Sequence, residues 1–177
     1  MKTTREIEIE IKVDNFYSVE KKLKGLEAKL EKEFTMRDVY FDKESFYKNI
    51  RIRLRRLNND KYLLTKKSPS ISSKGVQKAE EKETHGIGFE QKYKELCKTY
   101  GSPIVDEEIN IKIFLLDSVT IELREVKGLF NYIEISGKSE KDVENIKSKL
   151  KIEGKVFKEG ALNEVLMLRN LPKIVVK

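Results

Sequence analysis

A single cysteine, Cys97, is all the thiol that this 177-residue chain contains. That excludes an internal disulfide and any CxxC-type metal site, and it suits a reducing compartment. Long apolar runs are missing as well. No stretch of the sequence approaches the roughly 18 residues of a membrane span, and the opening MKTTREIEIE lacks the apolar core of a secretory signal. A soluble, cytoplasmic protein with no membrane partner is expected. Backbone breakers are scarce, with three prolines and nine glycines, and only SPSISSKG (68–75) gathers them with four serines. It is too short for a linker and predicts a mobile loop over an opening. There is no internal repeat, and one domain spanning 1–177 is expected.

Charge is abundant instead. Lysine and arginine total 37 against 30 acids, a net charge of +7 with a pI near 9.2. This favours an anionic partner and leaves phosphate, nucleic acid and membrane surface as candidates.

The apolar residues follow clear periods. Phe16, Val19, Leu23, Leu26 and Leu30 recur at helical spacing behind a capping Asp14, which predicts a helix over 15–32. Strands are predicted at 37–42, 50–57 and 61–67, the last two joined by a turn at Asn58-Asn59-Asp60. A charged strand follows at 76–84, with His85 in a surface turn. A second helix spans 89–100, with Phe89, Tyr93, Leu96, Cys97 and Tyr100 on its inner stripe, so that Cys97 packs rather than reacts. Further strands are expected at 105–114, 118–126 and 130–136, and helices near 140–151 and 160–169. The pattern is that of an α+β domain on one antiparallel sheet or barrel.

Five of the strands alternate strictly. In EIEIEIKV, Glu6, Glu8, Glu10 and Lys12 share one side while Ile7, Ile9, Ile11 and Val13 share the other. Arg51, Arg53 and Arg55 alternate with aliphatics, as do Glu108, Asn110 and Lys112, then Thr120, Glu122 and Arg124, then Tyr132, Glu134 and Ser136. One such strand is explained by a sheet with one wet face. Five are better explained by a closed barrel with the charged faces turned inward. A lumen of both signs calls for a ligand of both signs. Carboxylates on Mg²⁺ or Mn²⁺, facing arginines on phosphate oxygens, fit a metal–polyphosphate complex.

Several stretches then fall in a recognisable order: Glu8-Ile9-Glu10-Ile11-Lys12, Tyr40-Phe41-Asp42, Arg51-Ile52-Arg53, Thr65-Lys66-Lys67, the pair Glu81 and Glu83, VKGLFNYIEIS at 126–136 and a closing ALNEVL. Together, from about residue 6 to 168, they resemble the CYTH family, the triphosphate tunnel metalloenzymes, which include class IV adenylate cyclases, thiamine triphosphatases and inorganic triphosphatases. The resemblance implies an eight-stranded antiparallel closed barrel, a tunnel open at both ends, with helices packed outside. It assigns Glu8, Glu10 and Glu134 to metal, with Glu81 and Glu83 as further carboxylates, and Lys12, Arg51, Arg53 and Lys67 to the triphosphate. Lys112 falls where the family has a second basic cluster.

The chain departs from that pattern in four places. Leu123-Arg124 stands where a leucine-aspartate pair is usual, which makes Arg124 a further substrate-binding base. Ser136 replaces a second glutamate, Phe130 a glycine, and Ala79 a basic residue for which Lys78 is the nearest substitute. Glu122, on the same face as Arg124, is expected to supply the missing aspartate's charge. The implied activity is Mg²⁺- or Mn²⁺-dependent hydrolysis of a small triphosphate (inorganic triphosphate, ATP or thiamine triphosphate), with Lys12 and Tyr40 orienting the attacking water. One alternative is cyclisation of ATP to cyclic AMP and pyrophosphate. Another is a non-catalytic binder of a polyphosphate, a nucleotide or an RNA 5′ end. General nucleic-acid binding is disfavoured, because glutamates beside the arginines repel a continuous phosphate backbone. A homodimer stays open.

Overall fold

Side chains that alternate between apolar and charged give each strand one face to bury under helices and one to turn elsewhere. The computed structural model describes residues 2–44, 50–57, 60–68, 71–73, 75–157 and 160–169. In chain order the described elements are β1 (Lys2–Val13), α1 (Tyr17–Gly25), β2 (Lys29–Phe41), β3 (Arg51–Arg56), β4 (Lys61–Lys67), β5 (Ile71–Ser73) and β6 (Val76–Ile87). They continue with α2 (Phe89–Tyr100), β7 (Val105–Leu116), β8 (Val119–Val126), β9 (Phe130–Ser136), α3 (Glu140–Leu150), β10 (Lys155–Val156) and α4 (Ala161–Leu168).

The sheet order is β10-β1-β9-β8-β7-β2-β3-β4-β6-β5, and an additional β1–β6 pairing joins its ends. Eight antiparallel strands thus close into a barrel, with β5 and β10 appended outside the circuit. β1 serves both sides of the seam: Lys2 to Glu8 pair with Glu83 to Gln77 of β6, and Glu8 to Val13 pair with Ser136 to Asn131 of β9.

The apolar faces are covered from outside. Ile9, Ile11, Ile121, Leu123, Ile133 and Ile135 pack under Val19 and Leu23 of α1 and Val143, Ile146 and Leu150 of α3. On the other flank, Val39, Phe41, Ile52 and Leu54 lie under Phe89 and Leu96 of α2, where Cys97 packs as expected. Outside the barrel wall, Arg37 and Arg56 lay their guanidiniums over the Phe89 ring, 5.5 and 4.3 Å from its centroid.

Several expectations need correction. The helix expected over 15–32 stops at Gly25, where Glu27 adopts a left-handed φ of 56° and the Ala28 amide returns to the Leu23 carbonyl at 2.9 Å. From Lys29 onward the chain is β2, because ladder pairing with β7, from Lys29↔Leu115 to Tyr40↔Val105, overrides the local helical period. Part of the expected loop at 68–75 is strand: Ile71–Ser73 pairs with Lys78–Val76, while residues 69, 70 and 74 lie outside the described residues. The turn residues Asn58 and Asn59 lie outside them too, although β3 and β4 pair antiparallel on either side. His85 is not in a turn; it sits exposed within β6.

The chain after α3 is held to the barrel by close backbone approach. β10 pairs with Ile11 and Lys12 of β1, and a Cβ on Gly154 would lie 2.1 Å from the Lys12 carbonyl oxygen. Gly154→Ala must push β10 away from β1, and it is expected to lower stability by about 1–3 kcal/mol, as overpacking does. Urea unfolding measures this; an unchanged midpoint would show that β10 docks with slack.

Candidate active site

The register fixes which side chains share the lumen. β3 brings in Arg51, Arg53 and Arg55, and their partners on β4 are Lys67, Thr65 and Leu63. β6 supplies Glu81 and Glu83, and β1 supplies Glu8 and Glu10. Across β1, β9 and β8 the positions Glu10, Glu134 and Glu122 stand directly opposite one another, forming a row of three carboxylates. These residues line one cavity of about 310 Å³, together with Tyr40, Glu107, Arg124, Tyr132 and apolar side chains of β7 and α4. One wall is basic and the other is acidic.

Most of these charges already face an opposite one. Lys67 Nζ lies 2.7 Å from Glu8 and 3.6 Å from Glu81. Asp38, 1 % exposed, accepts two bonds from Arg55, each 2.8 Å, with Arg53 at 4.0 Å. Burial alone would raise the Asp38 carboxyl, but the guanidiniums of Arg55, Arg53 and Arg124 outweigh it and hold it below the ordinary carboxylate range. Arg53 loses solvation in the same way, yet Asp38, Tyr40 and Glu81 keep its pKa above the usual arginine value. Among the described residues, the buried Arg53 Nε has no hydrogen-bond partner, and Arg53 lines a cavity rich in charge.

Both tyrosines of the lumen are pushed up, Tyr40 by burial and then Asp38, and Tyr132 by burial and then Glu10 and Glu134. They remain protonated donors at neutral pH. Glu107 is also raised, by burial, with Arg169 at 2.7 Å opposing the shift.

α4 lies over one end of the barrel, and its first turn reaches the carboxylate row. Glu10 accepts from the Ala161 amide at 2.7 Å and from Gln77 Nε2 at 3.1 Å. Gly160, at a φ of 86°, permits this approach, since a Cβ there would sit 3.2 Å from Glu10 Oε2. The same helix draws Lys12 aside: its Nζ pairs with Glu164 Oε1 at 2.7 Å, over the Phe130 ring.

Of the site residues expected from the sequence, Glu8, Glu10, Glu81, Glu83, Glu134, Tyr40, Arg51, Arg53, Lys67 and Arg124 are brought together in this cavity. Lys12 is beside it but does not line it. Lys112 is a correction. It pairs across from Leu123, a residue of the outer core, and so points out of the barrel, where it meets Glu20 of α1 at 2.8 Å. The inward face of β7 is the isoleucine face, with Val105 and Ile109 in the cavity wall. Residues that sequence reasoning passed over are Asp38, Gln77, Glu107 and the inner side of α4, while Arg55 was placed on an inward face but given no role. The alternation Asp38-Val39-Tyr40 carried the signal for Asp38, which lies two residues from Tyr40 on the same face.

Among the described residues, no three carboxylate, histidine or cysteine side chains converge as a complete metal-binding group. The donor set still fits a hard cation. Mg²⁺ and Mn²⁺ take one or two carboxylates and fill the rest of their coordination with phosphate oxygens and water, and the acidic wall offers carboxylates opposite a phosphate-binding wall.

A CYTH domain model matches residues 4–162, and the chain belongs to that family. Solved structures share the fold. One is a protein of Pyrococcus horikoshii OT3, 24 % identical with a TM-score of 0.75, the match covering 88 % of this chain and 96 % of that one. Another is a conserved hypothetical protein of Pyrococcus furiosus, 21 % identical with a TM-score of 0.75, covering 89 % and 98 %. A third, from Hippeastrum, is a protein for which a dominant triphosphatase activity is described; it is 17 % identical with a TM-score of 0.65, covering 94 % and 97 %. No curated protein matches the sequence.

The Asp38–Arg55 pair generates a prediction about acid stability. Because the folded pKa of Asp38 lies below the unfolded value of about 3.9, its stabilisation is complete above that value and is lost as pH falls through the folded one. Asp38→Asn strands Arg55 and should lower stability by about 3–5 kcal/mol at neutral pH. The gap from wild type should narrow in acid below about pH 4. A gap that stays constant from neutral pH into strong acid would remove Asp38 from the linkage.

Proposed function

We propose that this chain is a metal-dependent phosphohydrolase that removes the terminal phosphate from a small triphosphate held inside the barrel. The observation that carries this reading is the division of one enclosed lumen into a basic wall on β3 and β4 and a carboxylate wall on β1, β6, β8 and β9. Arg51, Arg53 and Lys67 would bind the phosphate oxygens, with Arg53 permanently charged and its Nε available to donate. Glu8, Glu10, Glu81, Glu83 and Glu134 are the residues that would hold Mg²⁺ or Mn²⁺. The ion, when bound, offsets charge on the phosphates and polarises the phosphorus under attack.

Water attacks the terminal phosphorus, and the bridging P–O bond breaks with the diphosphate as leaving group. The attacked phosphoryl group, having lost the water's proton to solvent, is released as orthophosphate, with catalysis supplied chiefly by positioning and electrostatics. Tyr40, raised in pKa, acts in this scheme as a donor to a phosphate oxygen and not as a base. Lys12 can orient the water only after its ammonium leaves Glu164. A second reading, binding without turnover, draws on the partners that Glu10 and Glu134 already have in Ala161 and Arg124.

Phosphorus NMR of the protein with inorganic triphosphate, ATP or thiamine triphosphate, each with Mg²⁺ or Mn²⁺, separates these readings. Orthophosphate is the expected product. Pyrophosphate with cyclic AMP would make the protein a cyclase, and line broadening without product would make it a binder. Glu8→Gln with Glu10→Gln should abolish metal-dependent turnover. Arg53→Ala should chiefly raise KM, by about ten- to a hundredfold, the worth of a bond to a charged group. Full activity in the double variant would end the assignment.

A further inference from the structure

Arg124 lies inside the lumen, 7 % exposed, yet it is placed as poorly as a base can be for gripping phosphate. A guanidinium has five N–H donors, and here four of them make hydrogen bonds to protein groups, while the remaining Nη1 side stands in an ion pair. Nε and Nη2 lie 2.8 and 2.6 Å from Glu122 Oε2. The second Nη2 donor faces Glu134 Oε1 at 3.3 Å. Nη1 stands 3.0 Å from Glu134 Oε2 and 3.2 Å from the Tyr132 hydroxyl. The guanidinium carbon also lies 5.8 Å from the centroid of the Tyr132 ring, within cation–π range.

Glu122 and Glu134 are directly opposed positions on β8 and β9. Two carboxylates at adjacent register positions repel unless a cation sits between them. In this chain the cation is covalently part of the protein.

We propose that Arg124 is a built-in cation: it occupies the Glu122–Glu134 end of the carboxylate row in the role a divalent ion could fill, and it takes no part in holding phosphate. The inference rests on the metal-dependent reading above and narrows it, taking Glu134 out of the set of residues that would hold the ion. Glu134 then serves Arg124, Glu122 completes the same clamp instead of standing in for a missing metal ligand, and divalent-ion binding falls to the Glu8, Glu81 and Glu83 side of the lumen. Because the guanidinium cannot dissociate, the repulsion between Glu122 and Glu134 stays offset at any metal concentration, with one negative charge of the pair remaining.

The test is Mn²⁺ binding by isothermal titration calorimetry on the full chain, without triphosphate, so that turnover is not the readout. Arg124→Gln should bind one Mn²⁺ more per chain than wild type, and adding Glu134→Gln should return the number to that of wild type. Glu122→Gln should bind Mn²⁺ within about twofold of the wild-type affinity. An Arg124→Gln protein with the wild-type number of sites would overturn the proposal. So would a Glu122→Gln protein weakened by more than about tenfold, and this second variant decides the matter alone if circular dichroism shows Arg124→Gln to be unfolded. Wild type binding no Mn²⁺ while Arg124→Gln gains a site would support the built-in cation and count against metal dependence. Strong Mn²⁺ binding lost on Glu122→Gln would do the reverse.

Discussion

The pairing of β1 with β6 is the contact on which the rest of the molecule depends. Without it the other ladders form an open twisted sheet, whose charged face could relax into water. Once the seam closes, every second residue of eight strands is committed to a shared interior, and each charge there must find a partner or a ligand. The clamps seen inside follow from that constraint: Lys67 between Glu8 and Glu81, Arg55 on Asp38, and Arg124 between Glu122 and Glu134. Many of the interior charges are thus already paired before any ligand arrives, with carboxylates in excess of bases. A ligand that enters must exchange these contacts for its own, which favours one carrying both signs of charge over a bare anion.

The lumen is also unequal in polarity. β7 turns its aliphatic side inward, and Val105 and Ile109 meet Val126, Leu162 and Val165 at the cavity wall. This wall offers no hydrogen bonds and little polarisability. Its neighbours feel a lower effective dielectric than a water-filled pore would give, in keeping with the upward shift that burial gives Tyr40 and Tyr132.

The order of elements, most strand boundaries and the idea of an inward charged face were legible in the sequence, because period-two alternation is a direct imprint of the pleat. β7 shows where that logic fails. EINIKIF alternates as cleanly as EIEIEIKV, but alternation does not say which face points inward, and here the outer face carries Lys112 and the exposed Glu108 while the isoleucines fill the barrel. The end of α1 was illegible for a different reason. Leu26 and Leu30 fit a helical stripe, yet both end up substantially exposed, and only pairing with β7, some eighty residues away in sequence, fixes that stretch as strand. The grip of α4 on Glu10 and Lys12 depends on tertiary placement, which no local spacing encodes.

That last contact also bears on how the molecule comes to exist. The Ala161 amide and the Glu10 carboxylate that accepts from it are 151 residues apart in sequence, and β1 shares its ladders with β6, β9 and β10. A strand made early in synthesis must therefore wait for partners made late, holding Ile7, Ile9 and Ile11 uncovered until they emerge. Such a topology closes slowly, because non-local pairing bears its loop entropy before its contacts form. In that interval the glutamates spaced between those isoleucines have a task unrelated to catalysis: their mutual repulsion keeps one nascent edge from adding to another.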